Sequence, residues 1–192
     1  QRLSTPLVLW GQAPVRSIGF IGPQKLIAAY EHEEVALWDL VTGTKVAFDS
    51  RELLPTTLIA TNSARRLIAT AGNRSGIEIR SVSNLQTVAD LPAAEAGVTA
   101  MRFSQSGEVF AFAVRKGPVR VYSVNEWRQP RFEIPATDQL VSSIAVSLDD
   151  QTVALGRSDQ MVQLLDSNDG HLVDSIPLEN DGPSVVEFCQ DG

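Results

Sequence analysis

The chain has 192 residues, 43% of them hydrophobic, and a formal net charge of -7. That composition is too apolar for a disordered chain, and no run reaches the roughly 18 to 20 apolar residues that cross a bilayer. Its 23 acidic residues against 16 basic ones disfavour nucleic-acid binding, because a duplex is gripped through clustered Lys and Arg.

Taken in chain order, residues 5–10 read as a lone apolar strand. A four-part unit follows. Its first part holds Val15, Ile18 and Phe20, its second is Leu26-Ile27-Ala28-Ala29, and its third is Val35-Ala36-Leu37-Trp38-Asp39-Leu40. After a turn at Thr42-Gly43 comes the fourth, Lys45-Val46-Ala47-Phe48. The unit then recurs. The second copy has Thr56, Ile59 and Thr61, then Leu67-Ile68-Ala69-Thr70, Ile77-Glu78-Ile79-Arg80 and Thr87-Val88-Ala89-Asp90. The third has Val98, Met101 and Phe103, then Val109-Phe110-Ala111-Phe112, Val119-Arg120-Val121-Tyr122 and Arg131-Phe132-Glu133-Ile134. The fourth has Val141, Ile144 and Val146, then Thr152-Val153-Ala154-Leu155, Val162-Gln163-Leu164-Leu165 and Leu172-Val173-Asp174-Ser175-Ile176. Pro183, Val186 and Phe188 begin a fifth.

The period is about 42 residues. Period-two alternation with β-branched residues marks strands. The intervening Gly, Asn and Asp residues tolerate the positive φ of hairpin turns. No strand alternates with a helical pattern, so a βαβ fold is disfavoured. Four short strands bury little alone, whereas stacking such units around an axis covers both faces of each. The expected fold is therefore all-β: a β-propeller of four-stranded antiparallel blades at 15–50, 56–91, 98–134 and 141–178. Flanking strands at 5–10 and 183–189 belong to incomplete blades. A sandwich is the rival all-β arrangement, but it does not call for the same quartet four times.

Leu37-Trp38-Asp39-Leu40 and Ser158-Asp159-Gln160-Met161-Val162-Gln163-Leu164-Leu165-Asp166 resemble the signature of the WD-repeat family. The Trp position holds Trp38, Arg80, Tyr122 and Leu165, and Gly11-Gln12 stands where the family has Gly-His. The family's buried His-Asp-Ser-Trp hydrogen-bond network is therefore incomplete in every unit. The stretch 166–192, with Pro183 before a first strand, also resembles lactonase-like propellers. The WD-repeat resemblance implies a non-catalytic scaffold or sensor that binds proteins on its rim or top face and needs no cofactor. The alternative it leaves is an enzymatic propeller of lactonase-like or quinoprotein-like type, with its site in the central channel or in further blades.

A lone leading strand and a trailing first strand predict a single domain, 1–192, that is part of a larger ring. Seven blades at this period need roughly 290 residues. Further blades or an effector domain are expected partners, or else two such pieces pair. The single cysteine, Cys189, excludes an internal disulfide and fits a cytoplasmic setting.

Catalysis requires convergent groups. The two histidines, His32 and His171, and one cysteine do not make a zinc set, no Gly-x-Ser-x-Gly is present, and Asn168-Asp169-Gly170 is too short for a calcium loop. No catalytic, cofactor or metal residue is expected. The candidates for partner binding are the residues that share one slot in successive units, His32, Arg74, Lys116 and Asp159, expected on one rim of the ring where loops collect binding residues. Trp127 with Arg128 is a second candidate patch, since both residue types anchor interfaces. Trp38 is expected to pack between blades. Residues 141–182 carry eight acidic residues and one basic residue, Arg157, whereas 99–140 carry six basic and four acidic. Adjacent units therefore differ in sign.

Overall fold

The structure is a computed structural model. It describes residues 9, 13–31, 35–48, 56–72, 76–83, 86–93, 97–179 and 185–189. Each of the four repeats folds as one antiparallel sheet, and the described residues contain no helix. The first sheet comprises β1 (Val15–Phe20), β2 (Lys25–Tyr30), β3 (Val35–Asp39) and β4 (Thr44–Phe48). The second comprises β5 (Thr56–Asn62), β6 (Leu67–Gly72), β7 (Ile77–Ser81) and β8 (Thr87–Leu91). The third comprises β9 (Val98–Phe103), β10 (Val109–Val114), β11 (Val119–Ser123) and β12 (Phe132–Ile134). The fourth comprises β13 (Val141–Val146), β14 (Thr152–Arg157), β15 (Met161–Asp166) and β16 (Leu172–Pro177). Within every sheet, order along the chain is order in space.

The repetition extends to details that no hydrophobic pattern encodes. Pairing of the first two strands slips once per sheet, between Val15 and Ser17, Thr56 and Leu58, Val98 and Ala100, and Val141 and Ser143. Such bulges bend a strand and increase its twist. At the opposite end, the residue after each third strand donates its N–H to the carbonyl before each second strand. These bonds are Leu40 to Gln24, Val82 to Arg66, Val124 to Glu108 and Ser167 to Gln151, at 2.8 to 2.9 Å.

The third-strand acids make the hairpin turns. Asp39 Oδ1 accepts from the N–H groups of Val41 and Thr42, both at 2.9 Å, and Asp166 Oδ1 accepts from Asn168 N at 2.8 Å. Side chains of this kind stand in for a backbone turn. The backbone bonds from Thr42 and then Val41 hold the Asp39 carboxyl below the usual carboxylate range. Each of the two turns closes on a left-handed glycine, Gly43 at φ 69° and Gly170 at φ 78°.

Consecutive sheets lie against one another through their first strands, β1 with β5, β5 with β9 and β9 with β13. Side chains alternate across each pleat, so one face looks to the preceding sheet and the other to the next. In the third sheet, Phe110, Phe112 and Tyr122 join a core with Ile77, Ile79 and Leu91 of the second. Its Val109, Val119 and Val121 join a second core with Ile144, Val153 and Leu155 of the fourth. Ile27 and Leu37 meet Ile68 and Val82 between the first two sheets. All of β6 and β10 is buried, and each large apolar side chain hidden this way contributes about 1.5–3 kcal/mol.

The two outermost sheets are less well covered. Val15, Ile18 and Phe20 of β1 are exposed, although the corresponding Val141, Ile144 and Val146 of β13 are buried. Leu172, Val173 and Ile176 of β16 are exposed as well. Trp38 is buried with Ala28, Tyr30, Ala36 and Leu9, and its indole N–H donates to the Tyr30 hydroxyl at 3.1 Å.

Residues 185–189, the described part of the expected flanking strand at 183–189, pair with no strand among the described residues. They lie beside β13. Val186 N donates to Ser143 Oγ at 3.0 Å, as Ile59 N of β5 donates to Ser17 Oγ of β1 at 3.2 Å. Trp10, Pro183 and the rest of the expected strand at 5–10 apart from Leu9 lie outside the described residues. Among the described residues, no helix is long and apolar enough to cross a membrane.

Candidate functional site

The sheets have two ends, and they differ. At one end lie the turns from second to third strands, beside the approach to each first strand; Arg115 N donates to Gly97 O at 2.9 Å and Ser158 N to Leu140 O at 2.8 Å. Lys116 and Asp159 both sit here, in corresponding turns. His32 and Arg74 lie outside the described residues. The two turns are not equivalent in conformation, because the left-handed residue is Lys116 (φ 50°) in one and Gln160 (φ 64°) in the other. Asp159 is held by Arg157 of its own sheet in a two-pronged pair, Nε to Oδ1 at 3.1 Å and the NH2 group to Oδ2 at 2.6 Å. Its charge is thus answered internally. Lys116 is exposed and carries no ion pair among the described residues.

At the opposite end, the four first strands run out around a recess of about 480 Å³, lined in part by Phe20, Ile59, Met101, Arg102, Leu148 and Phe188. Arg102 crosses it to Glu187, 2.6 Å away. The turns around its mouth are tied to one another from sheet to sheet. Gly22 N donates to Ser63 Oγ at 3.0 Å, Asn62 Nδ2 donates to Gly107 O at 2.9 Å, Arg65 pairs with Glu108, and Ser106 Oγ donates to Asp150 Oδ2. Gly107 has φ 85°, and a Cβ there would sit 2.4 Å from Asn62 Oδ1, so the link needs glycine for both reasons.

Trp127 and Arg128 belong to this second end, so the six candidate residues do not share one surface. The turn that carries them departs from the repeat. It spans 124–131, whereas the other sheets use 40–43, 82–86 and 167–171 at that place. The longer turn is pinned at both ends. Ser123 bridges to Glu126, Arg131 N donates to Val121 O at 2.7 Å, and Arg131 Nε donates to Ser123 Oγ at 2.7 Å. Trp127 is half-buried and packs on Phe110 and Tyr122, with ring centroids 6.0 and 6.2 Å away. It is therefore part core and part surface rather than a free edge residue. Arg128 is exposed.

Beside them a groove of about 520 Å³ runs between the second and third sheets. Trp127, Arg128 and Pro130 line one end of it. Asp90, Pro92 and Glu133 line the other. Arg120 stiffens the latter end by donating from Nε to Glu133 Oε2 at 2.6 Å and from NH1 to Pro92 O at 2.7 Å. Tyr122 also lines the groove, and burial pushes its phenol above the ordinary range. The residues other than Trp127 and Arg128 escaped the sequence reading because they come from two different repeats. The one signal that reached the sequence was the long interval between the third and fourth strands of the third unit.

Asp166, Asp169 and His171 are the one group of possible metal ligands among the described residues, with ligand atoms within 4.8 Å of one another. Turn geometry accounts for them. Asp169 Oδ1 accepts from His171 N at 3.0 Å and lies 2.7 Å from His171 Nδ1. The side-chain bond to Asp169 and its charge raise the His171 pKa, and the His171 backbone N–H and ring lower that of Asp169.

No protein-family model matches the chain, and no curated protein matches it.

Proposed function

We propose that the four sheets are consecutive blades of a WD-repeat-like β-propeller, and that the chain is a non-catalytic platform that binds another protein. One observation carries this reading. The first strands β1, β5, β9 and β13 lie side by side in chain order, each bulged at the same slot and each presenting one sheet face backward and one forward. That succession is what rotation of a unit about an axis running beside its first strands produces. Exposed apolar side chains on β1 and β16 support placing further blades, or a second copy, against the two flanks.

On this rigid frame the feature that breaks the repeat is the 124–131 turn, and binding residues collect on loops held by a scaffold. It belongs to the third blade, where the stretch 99–140 is net basic in a chain of net charge -7. An acidic partner surface is steered there. Affinity capture compares the chain with a form carrying Arg128→Glu and Lys116→Glu, two exposed positions that leave the cores untouched. A platform retains a stoichiometric partner and loses it, or loses its salt sensitivity, in the doubly substituted form. Absence of any retained protein at low and moderate salt contradicts the reading.

A further inference from the structure

We propose that the groove between the second and third sheets takes an extended, proline-bearing segment of a partner protein, an acidic residue of which lies on Arg128. The inference rests on reading the chain as a protein-binding platform and names the partner's chemistry.

Three features point to that occupant. The groove has an aromatic ledge, Trp127, carried on Phe110 and Tyr122, and two proline rings, Pro92 and Pro130, at its rims. Aromatic-lined grooves hold polyproline II segments because such segments are already extended and lose little entropy on docking. The groove is also open at the surface rather than enclosed. It extends from the Glu133–Arg120 pair, past Tyr122 of β11, to the turn that follows β11. At about 3.1 Å per residue, a polyproline segment lies along such a path without folding.

Third, the charges at the two ends are opposite. The guanidinium of Arg128 has no hydrogen-bond or ion-pair partner among the described residues; only its backbone N–H is used, by Glu126 Oε1. Asp90 is exposed at the other end. A segment with an acidic residue on Arg128 and a basic one toward Asp90 matches both, which gives the docking a direction. The site is also rigid before it is filled. Arg131 fixes one side of the long turn, and Arg120 fixes the wall made by Pro92 and Glu133. Such preorganisation reduces the entropy lost on binding.

Fluorescence anisotropy tests this with labelled ten-residue peptides containing four prolines around a central leucine. Two glutamates are placed at one end and an arginine at the other, in both orientations. One orientation is expected to bind saturably, and replacing its prolines with alanine weakens it at least tenfold. Arg128→Glu weakens binding roughly five- to tenfold, and a peptide with lysines in place of the glutamates recovers it. Trp127→Ala costs more than tenfold. Asp90→Lys, which touches no core, supplies a second variant, expected to weaken the same peptide through its arginine.

No saturation at millimolar peptide on a folded chain overturns the proposal. So does equal binding of the alanine peptide, or indifference to both Arg128→Glu and Asp90→Lys. A captured natural partner that ignores Arg128→Glu overturns the groove while leaving the platform standing. Failure to capture any partner removes the platform itself.

Discussion

Replacing Phe110 with alanine tests how the sheets are held together. Phe110 is fully buried and sits 4.5 Å from Phe103, 6.0 Å from Phe112 and 6.0 Å from Trp127, measured between ring centroids. Three contributions are lost together. Transfer of the buried side chain is worth about 1.5–3 kcal/mol. A cavity of roughly 90 Å³ adds about 2 kcal/mol at the usual cost per unit volume. Each lost aromatic pair adds about 0.5–1.5 kcal/mol, discounted because the surroundings partly collapse. The expected destabilisation is on the order of 4 kcal/mol, which is a large part of a typical domain's stability.

Phe20→Ala is the internal comparison. Its ring belongs to β1 and is 60% exposed, so it is expected to cost less than about 1 kcal/mol. Equilibrium urea unfolding, read from midpoint and slope, measures both. Because Trp127 leans on Phe110, tryptophan emission of the folded Phe110→Ala chain also shifts to the red. Equal losses for the two substitutions, or a loss under 1 kcal/mol at Phe110, refute the packing described between the second and third sheets.

Gly107→Ala forces a Cβ into a left-handed backbone position and against Asn62, so it should cost about 1–3 kcal/mol in the same unfolding assay. A change under 0.5 kcal/mol shows that the Asn62–Gly107 link does not tie the two sheets. For His171, the sign follows from its raised pKa in the folded chain. The Asp169 contact stabilises below the unfolded value near 6.5 and is lost as pH rises through the folded value. An NMR titration should place His171 above an unperturbed histidine, and Asp169→Asn should return it to the ordinary range; a titration unmoved by Asp169→Asn contradicts the pairing. Asp39→Ala removes the acceptor for two backbone N–H groups and should cost about 0.5–2 kcal/mol, whereas Asp39→Asn, which keeps an acceptor, should cost less.

The strands were legible because their signal is local. Ile77-Glu78-Ile79 or Val119-Arg120-Val121 can place one face inward only as half-buried strands, and β7 and β11 begin at those residues. The bulges were not legible. They follow from how a sheet bends to meet its neighbour, and no residue type marks Ser17 or Ser143 as standing beside one. Arg131 reads by pattern as the start of a fourth strand; β12 begins one residue later, although Arg131 N still donates to Val121 O of β11.

The groove failed to show for a topological reason. Asp90 and Glu133 lie 43 positions apart in the chain and meet only because successive sheets pack face to face. The same holds for Arg102 and Glu187, which are joined across the recess. Lys116 and Asp159 occupy corresponding slots of the repeat and lie in corresponding turns. Repeat equivalence was blind to the Arg157 pair that occupies Asp159, because that partner sits at a position where the other repeats have no arginine.

A crystal structure of the chain with each repeat superposed on the next tests the central claim most directly. One rotation, applied three times about an axis beside β1, β5, β9 and β13, should carry Val35 onto Ile77, then Val119, then Val162. A sandwich in which β1 lies against β9 or β13 instead of β5, or repeats related by unlike rotations about separate axes, contradicts it.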